Sequence, residues 1–295
     1  TGVIGEGVAA SPNPSLGWVG SLSEIEPRNG YWVKMDDAGI LSGAGQATDP
    51  EILYDLHYGA NLISYPFAGS ANLENTIPEE TWGSIDGVIG EGVAATYNEV
   101  LGWVGSLSSL EGSKGYWFKV NEAIDFNYIP PADLARTSNI NNMEYLVEYE
   151  YNQSTRQAFY FIESIDGVEE GDWILSYNNR VLVGSRQWNG SYTDIPAMGY
   201  DNELYSAGYC ENGDFISLKL FRPSTGDMFD LTGNDIPAWE DNAINIINSL
   251  TLSYPDIPGG FELSGIYPNP FNPSTTINFS VSEGMDLKLV IYDMQ

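Results

Sequence analysis

The 295-residue chain carries one cysteine, Cys210, and one histidine, His57. One cysteine excludes an internal disulfide. A zinc site of Cys/His type and a Ser-His-Asp or Cys-His triad have almost nothing to be built from. Cys210 reads as a small hydrophobe packed in a strand. Lys and Arg together number 11 against 41 Asp and Glu, a formal net charge of −30. Such a surface repels phosphate backbones and anionic membranes, so nucleic acid is not an expected partner. No apolar run reaches the roughly 18 residues of a membrane-spanning helix, so membrane insertion is not expected either. No signal-peptide pattern is visible, although the sequence opens on Thr1 rather than Met. Strong helix formers are sparse. The 32 Gly and 19 Tyr, with turn residues recurring at intervals of about eight to twelve, point instead to short strands and tight turns.

What the chain does have is a duplication. Shifted by 85 positions, 2–35 falls on 87–120 without a gap, and roughly two thirds of the positions are identical. "LGWVGSLS" at 16–23 returns at 101–108, and "GYWVK" at 30–34 becomes "GYWFK" at 115–119. The repeat decides the meaning of "GVIGEGVAA", whose Gly5-Glu-Gly7-Val-Ala-Ala10 matches the glycine pattern of a dinucleotide-binding turn. That site needs a long amphipathic helix after the glycines, because the helix N-terminus holds the pyrophosphate. Here "SPNPSLGW" and "TYNEVLGW" follow; Pro12 and Pro14 would break a helix, and neither copy shows a 3.6-residue apolar stripe. The glycines are therefore expected to serve tight turns and close strand approach.

"GANLISYPF" at 59–67 reads as a strand ahead of the second copy, which makes the full unit near 70–80 residues long. The first copy has no counterpart of 59–86, so the expectation is a first repeat truncated at its N-terminus, with an unpaired edge. Trp18 matches Trp103, Trp32 matches Trp117 and Tyr31 matches Tyr116. Neighbouring Tyr and Trp point to opposite faces of a strand, so one of each pair is expected buried and the other more exposed. The tryptophans read either as small-core residues or as platforms for sugar rings. Glu6 and Glu91 also match, and a duplicated carboxylate suits a structural or cation-facing role. The block at 1–128 resembles the "NLIS-P … GYW-K" repeats of large secreted proteins of Bacteroidetes-like bacteria, which implies an extracellular β-rich module and no particular chemistry.

From Met143 the texture changes. "MEYLVEYEY" alternates, "QAFYFIESI" at 157–165 follows, and "DGVEEGDWILSYNNRVLVGSRQW" reads as two strands around a turn at Asn178-Asn179. With "FISLKLFRP" and "AINIINSLTLS", seven or eight strands over 141–254 suggest a β-sandwich of immunoglobulin-like or jelly-roll layout. Asp166, Glu169, Glu170 and Asp172 gather in one turn region and offer the hard oxygen ligands that suit calcium. Their spacing departs from the D-x-[DN]-x-[DN]-G pattern, and a solvated acidic turn is the alternative. No organic cofactor is implied. Trp188, Tyr192 and Tyr200, beside Asp194 and Asp201, form an aromatic and acidic stretch able in principle to stack on and hydrogen-bond a polysaccharide, as could Trp18 and Trp103. Two carboxylates could also run glycoside hydrolysis, but the composition singles out no pair.

After "PDIPGG", the run Tyr267-Pro268-Asn269-Pro270-Phe271-Asn272-Pro273-Ser274-Thr275 closely resembles the start of the C-terminal sorting domain of type IX secretion, the Por secretion tail, and the related FlgD-type immunoglobulin-like fold. The prolines hold an extended segment unsuited to a central strand, and "TTINFSV" is expected to pair with "LKLVIYD" as a hairpin. The resemblance covers 261–295; later strands of the family pattern are not in this sequence, which also suits an incomplete reading frame with any enzyme upstream of Thr1. It implies export by the type IX machinery to the outside or the cell surface.

The expected organisation is all-β: a truncated repeat at 1–45, a second repeat at 46–128, a linker at 129–140, a sandwich at 141–254, a linker at 255–264 and the opening of a sorting domain at 265–295. The expected function is a non-catalytic spacer or adhesion segment of a secreted modular protein. The rivals are carbohydrate-binding modules serving an upstream polysaccharide-degrading enzyme, and a hydrolase within 141–254.

Overall fold

A computed structural model describes residues 2–40, 48–131 and 149–253, and the backbone of 262–267 and 276–280. The chain is all-β, as its composition implies. Residues 1–252 pack as one compact unit and 253–295 as a second.

The duplication is visible as a repeated sheet. In the first repeat β1 (Gly2–Gly5), β2 (Val8–Asn13), β3 (Gly17–Gly20) and β4 (Trp32–Lys34) pair in the order β3-β2-β1-β4. The second repeat adds β5 (Tyr54–Leu56), β6 (Gly59–Ser64), β7 (Ser70–Asn72) and the one-turn helix α1 (Leu73–Thr76) ahead of its copy of that sheet. The copy is β8 (Ile85–Ile89), β9 (Ala94–Asn98), β10 (Gly102–Gly105) and β12 (Gly115–Val120), with β11 (Ser109–Glu111) before β12 and β13 (Ile124–Phe126) after it. Its order, β10-β9-β8-β12-β6, is the order of the first repeat with one strand more.

Alternation along these strands gives each sheet two faces. On one face of the second repeat Val88, Ala95, Tyr116 and Phe118 join Tyr54, Leu56, Leu73, Ile77 and Tyr128 in a closed core. Phe126 and Tyr128 lie edge to face with centroids 4.9 Å apart, an arrangement that adds to their area burial. Trp103 sits at the rim of this core against Trp82 and Tyr97. Tyr128 is thus part of the module, and Ile129 is tied to it by hydrogen bonds with Thr76; most of the expected linker at 129–140 lies outside the described residues.

The sandwich has a three-stranded sheet, β18-β14-β21, made from β14 (Gln157–Ile162), β18 (Thr193–Met198) and β21 (Ile244–Ile247). Facing it is a six-stranded sheet, β15-β22-β20-β19-β16-β17. Its strands are β15 (Ile165–Asp166), β16 (Trp173–Asn178), β17 (Val181–Gln187), β19 (Ser217–Arg222), β20 (Asp227–Thr232) and β22 (Leu250–Ser253). Tyr160, Ile174, Leu220, Trp239 and Leu250 are among the residues filling the core between them. The stretch 243–253, expected to supply strand, is divided between the two sheets: β21 runs parallel to β14, and β22 parallel to β15. The β16–β17 turn has Asn179 and Arg180 as its two loop residues, with Asn179 at a positive φ that asparagine tolerates. Cys210 is a buried free thiol in a single bridge to Gly199, and burial pushes it up to about 12. The strand expected at 143–151 lies largely outside the described residues.

In the second unit β23 (Glu262–Tyr267) pairs antiparallel with β24 (Thr276–Ser280). The strand after the proline run therefore pairs backwards across it, and part of the expected 255–264 linker is strand. Residues 281–295, including "LKLVIYD", and 268–275 of the sorting motif lie outside the described residues.

Candidate functional site

The candidate site is the joint between the second repeat and the sandwich. β14 reads Gln-Ala-Phe-Tyr-Phe-Ile and is buried at every position. A strand with no polar face must be covered on both sides. Ala158, Tyr160 and Ile162 face the sandwich core. Phe159 and Phe161 face the other way, into a second cluster with Ile89, Ala94, Trp117, Tyr192 and Ile244. Two fully buried phenylalanines contribute about 1.5–3 kcal/mol each relative to exposure. The sheet of the second repeat is thus covered on both faces, by its own core and by the sandwich. The second Tyr-Trp pair divides as alternation expects, with Tyr116 buried in the repeat's core and Trp117 half-buried at the joint, whereas Tyr31 and Trp32 of the first pair are both half-buried.

Glycine sets how closely the layers approach. Gly105 has φ +119, and a Cβ there would stand 2.7 Å from the Phe161 ring. At Gly87 a Cβ would stand 2.8 Å from Ile244. The "GVIGEG" glycines, met first as a nucleotide-like motif, line this approach: Gln157 Nε2 donates to the Gly90 carbonyl at 2.7 Å, and the Gly92 N–H donates to Gln157 Oε1 at 3.3 Å.

Asp194 is the polar centre of the joint. Its side chain is 2% exposed. Ser106 donates its N–H at 2.8 Å and its hydroxyl at 2.7 Å to the two carboxylate oxygens. Arg186 Nη2 lies 3.3 Å away and also donates to the Gly92 carbonyl at 2.8 Å. Burial pushes the Asp194 carboxyl above the usual range, and Arg186 and Ser106 act against that rise. Tyr192, at a positive φ, accepts a hydrogen bond from Asn98 Nδ2 at 3.0 Å.

The first repeat meets the rest through other groups. Lys34 Nζ lies 3.1 Å from both Asp201 and Glu203. Burial pushes Asp201 up, but the Tyr205 and Ser206 hydroxyls and the Lys34 ammonium outweigh it and hold the carboxyl at about 2. Glu6 accepts the Leu62 N–H at 2.9 Å and lies 2.6 Å from His57 Nε2, a structural use of the duplicated carboxylate. Hydrogen bonds to the Tyr58 carbonyl and then to Glu6 raise His57 above its ordinary value.

The five aromatic residues singled out for sugar binding do not form one platform. Trp18 is 60% exposed. Trp103 is at the repeat core, Tyr192 is in the joint, and Trp188 and Tyr200 pack against the sandwich core. The acidic turn is built around a cation already present in the chain. Arg222 Nη2 lies 2.9 Å from Asp172, whose side chain is 2% exposed, and Arg222 Nη1 lies 2.9 Å from Glu169. Asp166 and Glu170 point to solvent. Among the described residues no three His, Cys, Asp or Glu side chains are placed to hold a metal ion. A cavity of about 150 Å³ lined by Glu26, Arg28, Tyr54 and Asp55 lies between the repeats, smaller than the roughly 300–1,000 Å³ of ordinary ligand pockets. No helix among the described residues is long and apolar enough to cross a membrane.

The roles of Gln157, Arg186 and Ser106 escaped the sequence reading. One signal for Asp194 was available: in "SYTDIPAM" it is an ionisable residue inside a strand with no polar face, which demands a charged or hydrogen-bonding partner. No known protein family, curated protein or solved structure matches the chain.

Proposed function

We propose that this chain is a non-catalytic, stiff spacer segment of a secreted or cell-surface modular protein, exported by type IX secretion. One observation carries the spacer reading. Tyr192 and Asp194, an aromatic ring and a carboxylate from the stretch expected to grip a polysaccharide, are both used in joining the second repeat to the sandwich. A hydrophobic cluster closed by a buried carboxylate fixes two modules in one orientation, which is what a spacer needs and a binding cleft does not. The acidic surface, with −30 net charge, suits a protein that must stay soluble outside the cell. Export rests on the resemblance of Tyr267–Thr275 to the sorting tail.

The test is a glycan and polysaccharide array probed with the full chain, with and without calcium. A spacer binds none of them in either condition. Saturable binding that disappears in a folded Trp18→Ala or Trp188→Ala variant replaces this reading with the carbohydrate-binding one. Export is tested separately, by expressing the chain behind a signal peptide in a bacterium with type IX secretion. Replacing Pro268, Asn269 and Pro270 by alanine should leave it in the periplasm; unchanged export would remove the tail from the account.

A further inference from the structure

The two repeats share a sheet but not a cover. In the second repeat the face carrying Val88, Ala95, Trp103 and Phe118 is closed by a segment running from Tyr54 through β6 and α1 to Trp82. The same segment adds β6 along the outer edge of β12, from Gly115 to Val120. Residue for residue, the first repeat offers the same face: Val3 pairs with Ala10 and Val33, and Trp18 with Pro12. Yet Trp18 is 60% exposed and Val33 48%, where Phe118 is fully buried. Ile25, whose counterpart Leu110 is fully buried, is also open. Among the described residues no strand pairs with β4 on the side away from β1. β6 meets the first repeat ahead of β4 rather than along it: Asn29 bridges to Ile63, the Gly30 N–H donates to the Leu62 carbonyl, the Ser64 N–H donates to the Arg28 carbonyl, and Glu6 accepts the Leu62 N–H. Large apolar residues open to solvent on one sheet face mark an interaction surface.

We propose that this open face is a docking surface for a strand-and-turn segment with the chemistry of residues 54–84, contributed by a further unit of the same repeat and entering β1 as 54–84 enters β8. The internal copy identifies the occupant. It shows which side chains this face takes, here Leu73, Ile77 and Trp82, and the edge along which the extra strand pairs. It also gives the path: Ser84 leads directly into β8, so the occupant leads directly into β1. A second copy of this chain is a poor source, because its own Leu73 and Ile77 are fully buried in the second repeat. The inference is independent of the export reading, since it uses no residue of the tail.

The experiment attaches a second copy of 48–85 directly ahead of Thr1 in the full chain, so that Thr1 takes the place of Asp86. Hydrogen exchange of 2–13 and 30–35 and hydroxyl-radical footprinting of Trp18 are compared with the unmodified chain. Docking predicts exchange slowed by about tenfold or more over those strands, as expected when open backbone is closed into a core, with a matching loss of Trp18 oxidation. An added copy carrying Leu73→Asp and Ile77→Asp should give neither effect. As a second arm, the free 48–85 peptide titrated onto the unmodified chain should protect the same strands saturably. No protection in either arm overturns the proposal. So does protection in the unmodified chain that grows with its concentration alongside a dimeric mass, because the occupant is then a second copy.

Discussion

Removing the Asp194 carboxylate is the sharpest perturbation of the joint. Asp194→Ala takes a buried carboxylate from Arg186, whose side chain is 13% exposed, and leaves the Ser106 N–H and hydroxyl without this acceptor. Deleting one partner of a buried ion pair costs about 3–5 kcal/mol, because the other charge stays buried. For a unit of this size that is a fall in melting temperature of about 6–20 °C. The double variant Asp194→Ala/Arg186→Met removes both charges and should recover at least about half of that loss. The pH dependence has a definite sign. Burial raises the folded carboxyl, so the folded state binds the proton more tightly than the unfolded one. The Asp194 contribution is then greatest below the ordinary Asp value and declines as pH rises through the raised folded value. There is no conflict with the large cost of Asp194→Ala, which compares a carboxylate with none rather than a charged with a neutral carboxyl. Urea unfolding of the full chain and of both variants across acid to neutral pH reads all of this. A loss under about 1 kcal/mol for Asp194→Ala at unchanged m-value, or a double variant no more stable than the single, would refute the reasoning.

Other consequences follow from the same contacts. His57 is the sole histidine, so one imidazole resonance should titrate above the ordinary histidine value in the folded chain and fall only part of the way back in Glu6→Gln, where the Tyr58 carbonyl still raises it. Its stabilising effect is present below the unfolded value and is lost as pH rises through the folded one. The pair is exposed, so His57→Ala should cost under about 1 kcal/mol. Trp103→Ala should cost about 2–3 kcal/mol in urea unfolding, whereas Trp18→Ala should stay within about 0.5; equal costs would mean that the first repeat is already covered. Millimolar calcium should leave the calorimetric melting temperature unchanged, because Arg222 holds Asp172 and Glu169; a calcium-dependent rise abolished by Asp172→Asn would restore the metal site.

Much of the fold was legible because local rules and tertiary packing agree. The 85-residue shift placed β1–β4 on β8, β9, β10 and β12, and the short apolar run "QAFYFI" marked β14. The sheet switch at 243–253 was not legible. Both halves of "AINIINSLTLS" are good strands, and only parallel pairing with β14 and β15, contacts more than 80 residues away, divides them. The second Tyr-Trp pair was legible only as far as alternation reaches. Alternation correctly put Tyr116 and Trp117 on opposite faces, but it cannot say that the second face meets another module. The acidic run 166–172 looked like a cation site because sequence counts carboxylates locally, and Arg222 comes from β19, 50 residues on from Asp172.

The account turns on the second repeat and the sandwich being one stiff body, and native-state hydrogen exchange of the full chain tests that most directly. Amides of Ile89 and Ala94 in the repeat and of Phe159 and Phe161 in the sandwich should exchange with the same opening free energy and the same dependence on urea. Asp194→Ala should lower all four together. Exchange of the repeat amides through a separate opening, with the sandwich still protected, would show two hinged modules and contradict the spacer reading.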